Sequence, residues 1–224
     1  MSLKPYYEED GITIYHGDCR EVFIAIQAPR FDLLLTDPPY GLREAAGKNK
    51  SRTNVAVAQD YGHSTWDDAP AHEAIALLRP FCEHQIIFGG NYYHLPPTSC
   101  WLVWDKDNGT NDFADCELAW TNLNKAVRKL THRWNGMLQQ PNCEHEWRQH
   151  PTQKPEPVMR WALSHAPVTV RTVLDPFMGS GTTLVEAKRA GKTATGIDRE
   201  ERYCEIAANR LRQRVLPLEM ADGR

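Results

Sequence analysis

Residues 170–200 read VRTVLDPFMGSGTTLVEAKRAGKTATGIDRE, and no other stretch limits the fold as much. An apolar, β-branched run ends at Leu174, a turn with Gly179 and Gly181 follows, a helical pattern starts near Thr182, and a second run ends at Asp198. Strand, turn, helix and strand in so short a span make a parallel crossover unit with its helix packed on the sheet. Glycines in the turn let the backbone come close to a ligand, so chemistry is expected just after the strands.

Similar runs bounded by turn residues recur at 11–16, 31–36, 85–88, 101–104 and 117–121, and helical patterns at 71–78, 157–165 and 200–215. In the last pattern Tyr203, Ile206, Ala207, Leu211 and Val215 share one face, with Glu201, Arg202, Glu205 and Arg212 elsewhere. Together these predict an α/β fold: a single, doubly wound, mainly parallel seven-stranded sheet with helices on both faces, in one domain over 1–224. Residues 41–66 lack apolar periodicity and are expected to form a mobile loop.

The opening MSLKPYYEEDG lacks the apolar core of a secretion signal, and no run is apolar enough for a membrane span. A cytoplasmic protein with its six cysteines reduced is the expectation. Cys143, His145 and His150 lie near one another, but no second pair at ligand spacing accompanies them, and no metal is expected. The formal net charge of −3 means that only local basic clusters could engage a polyanion. Two exist: Arg43, Lys48, Lys50 and Arg52, and Lys125, Arg128, Lys129 and Arg133.

A second unusual string, FDLLLTDPPYG, follows the run at 31–36. Pro38 and Pro39 cannot continue a sheet ladder, so the chain leaves the strand as a rigid rim. The Asp37 carboxylate and the Pro38 carbonyl can accept hydrogen bonds, and Tyr40 offers a flat face, a set that suits a planar heterocycle bearing an NH₂ group. Taken alone, the same residues also fit a proline-rich turn with a capping aspartate. At the other string, an acid at the end of the second strand, Asp198, can accept from ribose hydroxyls, which points to a nucleoside cofactor. No Lys follows Gly181 and GxGxxG is absent, so neither an NTPase phosphate loop nor a dinucleotide turn is read there.

Together the two strings resemble the DNA amino-methyltransferases, in which a DPPY tetrapeptide forms the base pocket and a DPFxGSGTT loop holds S-adenosylmethionine. Both stand unbroken here, at 37–40 and 175–183, and the likeness spans almost the whole chain. DPPY comes first and HPTQKPEPVM lies just before the cofactor loop, an order similar to that of the β class. The resemblance implies a Rossmann-like methyltransferase fold, S-adenosylmethionine as cofactor, double-stranded DNA as partner and adenine N6 as acceptor. It assigns Asp37, Pro38, Pro39 and Tyr40 to catalysis. Around the cofactor it sets Asp37, Lys154, Asp175, Pro176, Phe177, Gly179, Ser180, Gly181, Thr182 and Thr183, with Asp198 at the ribose and Asp18 and Cys19 by the adenine. Family members often carry Glu at the position of Asp198.

Little sequence remains for target recognition: a short segment at 134–149, with Trp134, Trp147 and Arg148, and the loop at 41–66. Arg43, Lys48, Lys50, Arg52, Arg133 and Arg148 are the expected DNA contacts. Cytosine-N4 enzymes tend to carry Ser or Thr in place of Asp37, so Asp37 and the motif order favour adenine. Cytosine N4 and a non-catalytic DNA-binding module on the same fold are the alternatives. A homodimer and a cognate restriction enzyme are left open.

Overall fold

The computed structural model describes residues 3–41, 71–109, 114–135, 138–139 and 153–213. In chain order its elements are β1 (Tyr7–Glu9), β2 (Ile12–His16), α1 (Cys19–Ala25), β3 (Phe31–Thr36), α2 (His72–Leu78), β4 (Cys82–Phe88), β5 (Trp101–Asp105), β6 (Cys116–Thr121), β7 (Arg128–Thr131), β8 (Trp134–Asn135), β9 (Leu138–Gln139), α3 (Glu156–Ser164), β10 (Thr172–Asp175), α4 (Thr182–Arg189), β11 (Thr193–Asp198) and α5 (Glu201–Gln213).

The main sheet has nine strands in the order β1-β2-β11-β10-β3-β4-β6-β5-β7. From β2 to β4 the neighbours are parallel, while β6 runs against both β4 and β5, and β1 against β2. A nine-stranded mixed sheet thus replaces the expected seven-stranded, mainly parallel one. Besides β8 and β9, which pair only with each other, two strands of the main sheet lie outside the predicted seven for identifiable reasons. β1 has three residues and turns into β2 through Asp10 and Gly11, both at positive φ, an Asp-Gly hairpin signal that was present and not used. β7 is nearly all exposed and lies inside the basic run at 125–133, so it has no apolar alternation.

Alternation sorts the strand residues onto two faces. Leu33, Leu35, Ile86, Phe88 and Val173 join the core under α3, α4 and α5, whereas Leu34, Ile87 and Leu174 join the core under α1 and α2. Helices therefore cover both faces. α1 was not anticipated, since its buried Cys19, Val22 and Phe23 span barely two turns; Asp18 caps it by accepting from the Arg20 amide at 2.9 Å. α4 starts at Gly181, where φ is +77° and an added Cβ would stand 2.6 Å from the Ala207 Cβ of α5, so only glycine lets these helices meet.

After β3 the chain proceeds to β4 on one side, and after β10 it proceeds to β11 on the other, so the connections diverge between β3 and β10. Such a divergence opens a crevice beyond the carboxyl ends of the strands. Because β6 is reversed, its first residues lie at that same edge, with Glu117 opposite Trp104 of β5. Among the described residues no helix is long and apolar enough to cross a membrane. The expected loop at 41–66 is described only at Gly41, the segment at 134–149 only at 134–135 and 138–139, and Cys143, His145 and His150 lie outside the described residues.

Candidate active site

A cavity of about 500 Å³ occupies the crevice, and the ends of four neighbouring strands supply its acids in sequence across the sheet: Asp18 after β2, Asp198 of β11, Asp175 of β10 and Asp37 after β3. The two DPxx strings are joined at the centre, where the Thr36 hydroxyl donates to Asp175 Oδ1 at 2.8 Å. Counting Glu73 and Glu200, the lining carries six acidic side chains against three basic ones, Arg20, Lys154 and Arg199. A cationic ligand suits that balance better than a pyrophosphate does.

Each acid is held differently. Burial raises Asp175 to about 6 despite its hydrogen bonds from Thr183, Thr36 and the Phe177 amide. Burial likewise raises Asp198 to about 7, although its two oxygens accept from the Gly179 amide at 3.0 Å and the Glu200 amide at 2.9 Å. The hydrogen bond from Arg20 instead lowers Asp18 to about 2, and Arg20 takes both of its oxygens. Cys19 is a buried thiol raised to about 12, by burial first and by Asp18 next.

Of the residues expected at the cofactor, Asp18, Cys19, Asp37, Lys154, Asp175, Pro176, Phe177, Gly179, Ser180, Thr182, Thr183 and Asp198 line this cavity. Gly181 stands behind it, packed on Ala207. Lys154 does more than line it: its Nζ donates to Asp37 Oδ2 at 2.5 Å and lies 3.0 Å from Glu117 Oε2. Burial opposes the Lys154 charge, but Asp37 and Glu117 outweigh it and hold the ammonium above its ordinary range. Burial pushes the Asp37 carboxyl above its own range, against the pull of Lys154.

Around Asp37 the DPPY turn is clamped. The Tyr40 hydroxyl donates to Asp37 Oδ1, and the Tyr93 hydroxyl donates to the Pro39 carbonyl. The Tyr40 ring stacks on Tyr92, centroids 4.9 Å apart and planes 16° from parallel. Gly89, at φ +63°, makes room for it: an added Cβ would stand 2.0 Å from Tyr40 Cε1. The sequence reading missed Gly89, Tyr92 and Tyr93, yet two glycines followed by aromatics at a parallel strand's end were a usable signal.

Behind the glycine loop lies a buried charged network that the sequence reading also missed. Arg210 of α5 donates to the Ser180 carbonyl at 2.7 Å, to the Thr182 hydroxyl at 3.1 Å and to Glu156 Oε1 at 2.9 Å. The Ser180 hydroxyl donates to Gln153 Oε1 at 3.0 Å. Arg189 bridges Glu156 and Glu186, and Arg160 meets Glu186 at 2.8 Å. Of the expected DNA contacts only Arg133 is described; it is exposed and pairs with Asp107 at 2.5 Å, while Arg43, Lys48, Lys50, Arg52 and Arg148 lie outside the described residues.

The profile of a family described as DNA methylase matches residues 95–209, just over half of the chain. Type II methyltransferase M2.LlaDCHI of Lactococcus lactis subsp. cremoris is 26% identical over 259 residues, covering 94% of this chain and 93% of that protein. Type II methyltransferase M2.DpnII of Streptococcus pneumoniae is 26% identical over 258 residues, with the same shares covered. Among solved structures, an M1.HpyAVI–SAM complex aligns with TM-score 0.57 at 24% identity, over 89% of this chain and 100% of that one. PvuII DNA methyltransferase, described as cytosine-N4-specific, aligns with TM-score 0.55 at 12% identity, over 97% and 91%. These two likenesses concern the fold. The chain belongs to the N6/N4 DNA methylase family.

Proposed function

We propose that this protein is a β-class DNA methyltransferase that transfers a methyl group from S-adenosylmethionine to N6 of adenine in double-stranded DNA. The observation that carries the reading is the Asp37 carboxylate, set beside a rigid diproline turn, lining a nucleoside-sized cavity and oriented by Tyr40 and Lys154. The cavity residues fit the cofactor. Asp198 offers carboxylate oxygens to ribose hydroxyls, Phe177 an apolar face, and the excess of acids a favourable field for a sulfonium. When bound, S-adenosylmethionine supplies an electrophilic methyl group.

The protein's own work is positioning and electrostatics. The lone pair of a base amino group is delocalised into its ring. Asp37 and the Pro38 carbonyl accept the two N–H bonds, which localises that lone pair and aims it into the cavity. The target base leaves the duplex to reach Asp37, at a cost of about a few kcal/mol that DNA contacts offset. Residues 41–66 follow Tyr40 directly in the sequence and carry Arg43, Lys48, Lys50 and Arg52, which supports a DNA-binding role for that segment, with 1–224 as one methyltransferase domain. The type II names of the relatives support a place in a restriction–modification system beside a cognate endonuclease.

The test is transfer of radiolabelled methyl from S-adenosylmethionine to unmethylated genomic DNA, followed by nucleoside analysis. N6-methyladenine is expected. N4-methylcytosine would keep the site chemistry and overturn the base, and absence of label in DNA would overturn the reading.

A further inference from the structure

Glu117 lies in none of the recognised motifs, yet it reaches the same edge as Asp37 because β6 is antiparallel. Its Oε1 accepts from Lys106 Nζ at 2.6 Å. Its Oε2 is buried and stands 3.0 Å from Lys154 Nζ without a well-aligned hydrogen bond. Lys154, only 7% exposed, directs its aligned donors to Asp37 Oδ2 at 2.5 Å and toward the Tyr40 hydroxyl at 3.4 Å. Asp37, Lys154, Glu117 and Lys106 thus form an alternating, electrically balanced row, and the ammonium sits between two carboxylates, closer to Asp37 than to Glu117.

That arrangement poses a problem for the site. Asp37 must accept an N–H from the target amino group, but Oδ1 already accepts from Tyr40 and Oδ2 from Lys154. An ammonium this close draws electron density from Oδ2 and weakens it as an acceptor. We propose that Glu117 is a positioning residue that takes over the Lys154 ammonium as a nucleobase amino group engages Asp37, an inference that rests on the amino-methyltransferase reading of the site. No bond breaks and no proton moves; one hydrogen bond is exchanged for another across a short swing of the lysine head. Glu117 is suited to this, because Lys154 and Lys106 outweigh its burial and hold it at about 2, ionised throughout. The charged and titratable groups facing Asp37 are Tyr40 on its own turn, Lys154 ahead of α3, Glu117 on β6 and Asp175 on β10.

The experiment uses full-length E117Q, E117D and K106M. Methyl transfer to unmethylated genomic DNA is followed across pH, and cofactor affinity is read separately by calorimetry. In E117Q, Lys154 stays on Asp37: cofactor affinity holds, while kcat falls about tenfold or more, the worth of one charge-assisted hydrogen bond. The acid limb of kcat moves to lower pH, because the like charge that raises Asp37 is gone. K106M leaves Glu117 to Lys154 alone and moves that limb to higher pH, and E117D restores most of the rate. An E117Q protein with wild-type kcat and limb overturns the proposal, as do limbs that move the same way in E117Q and K106M. If E117Q fails to fold, K106M decides by the sign of its shift. Wild-type protein that labels no DNA overturns the methyltransferase reading and this proposal together, whereas labelled DNA with an indifferent E117Q overturns this proposal alone.

Discussion

Replacing Arg210 by Met removes the cation that ties α5 to the glycine loop and keeps most of the side-chain volume. The guanidinium donates to the Ser180 carbonyl at 2.7 Å, the Ser180 hydroxyl at 3.1 Å, the Thr182 hydroxyl at 3.1 Å and Glu156 Oε1 at 2.9 Å, all buried. Removing one partner of a buried ion pair costs about 3–5 kcal/mol. Glu156 keeps Arg189 at 2.6 Å, which places the loss at the lower end, about 3 kcal/mol. For a chain of this size each kcal/mol lowers Tm by about 2–4 °C, so the variant should melt about 6–12 °C below wild type. Ser180 and Thr182 line the cofactor cavity, so affinity for S-adenosylmethionine should weaken as well. Calorimetric melting and titration calorimetry read the two effects. Arg210→Lys, which restores the charge but not the fork, should recover part of both. A Met variant with wild-type melting and wild-type cofactor affinity would refute the claim that this network holds the loop.

Three further outcomes are expected. Asp37→Ala abolishes methyl transfer while leaving cofactor affinity nearly intact, because the role proposed for Asp37 is to accept from the target amino group; normal turnover by that variant would sink the assignment. Gly89→Ala drives a methyl group into the Tyr40 ring and shifts the clamp on Asp37, so kcat should fall about a hundredfold, as for a misplacement on the order of 1 Å, with cofactor affinity unchanged. Asp198, raised to about 7 from an unfolded value near 3.8, binds more protons folded than unfolded between those pH values. Its contribution to stability is therefore full below the lower value and lost as pH rises to the upper one. Asp198→Asn removes that loss, so melting of the free variant should gain on wild type as pH rises from about 4 to about 7; a constant difference across that range would count against the assigned burial.

Much of the site was legible because its signals are local. A run such as FDLLLT declares a strand by its apolar content, Pro38 and Pro39 end it, and Gly179 and Gly181 mark a turn where backbone and helix approach closely. Backbone conformation at such positions is set by the residues themselves. The two strings together then carried the family resemblance, and the cavity gathers twelve of the thirteen residues read as cofactor contacts, leaving Gly181 on the helix packing behind it.

The Gly89, Tyr92 and Tyr93 clamp had a local signal, but the charged partners that escaped are non-local. Arg210 reads as one more charge on an amphipathic helix, and nothing in a one-dimensional pattern says that Glu156 and the Ser180 carbonyl wait to receive it. The extra sheet pairing of β7 depends on its neighbour and not on its own apolar content, whereas β1 carried a local hairpin signal at Asp10 and Gly11.

The amino-acid sequence by itself determined where the strands break and which residues stand at those breaks, since proline geometry, glycine freedom and apolar alternation act within a few residues. Tertiary structure alone decided that Glu117, on a reversed strand, and Lys154, 117 positions from Asp37, meet at one carboxylate. Strand direction and the burial of charge are settled by partners distant in the chain, and the electrostatics of the site follow from them.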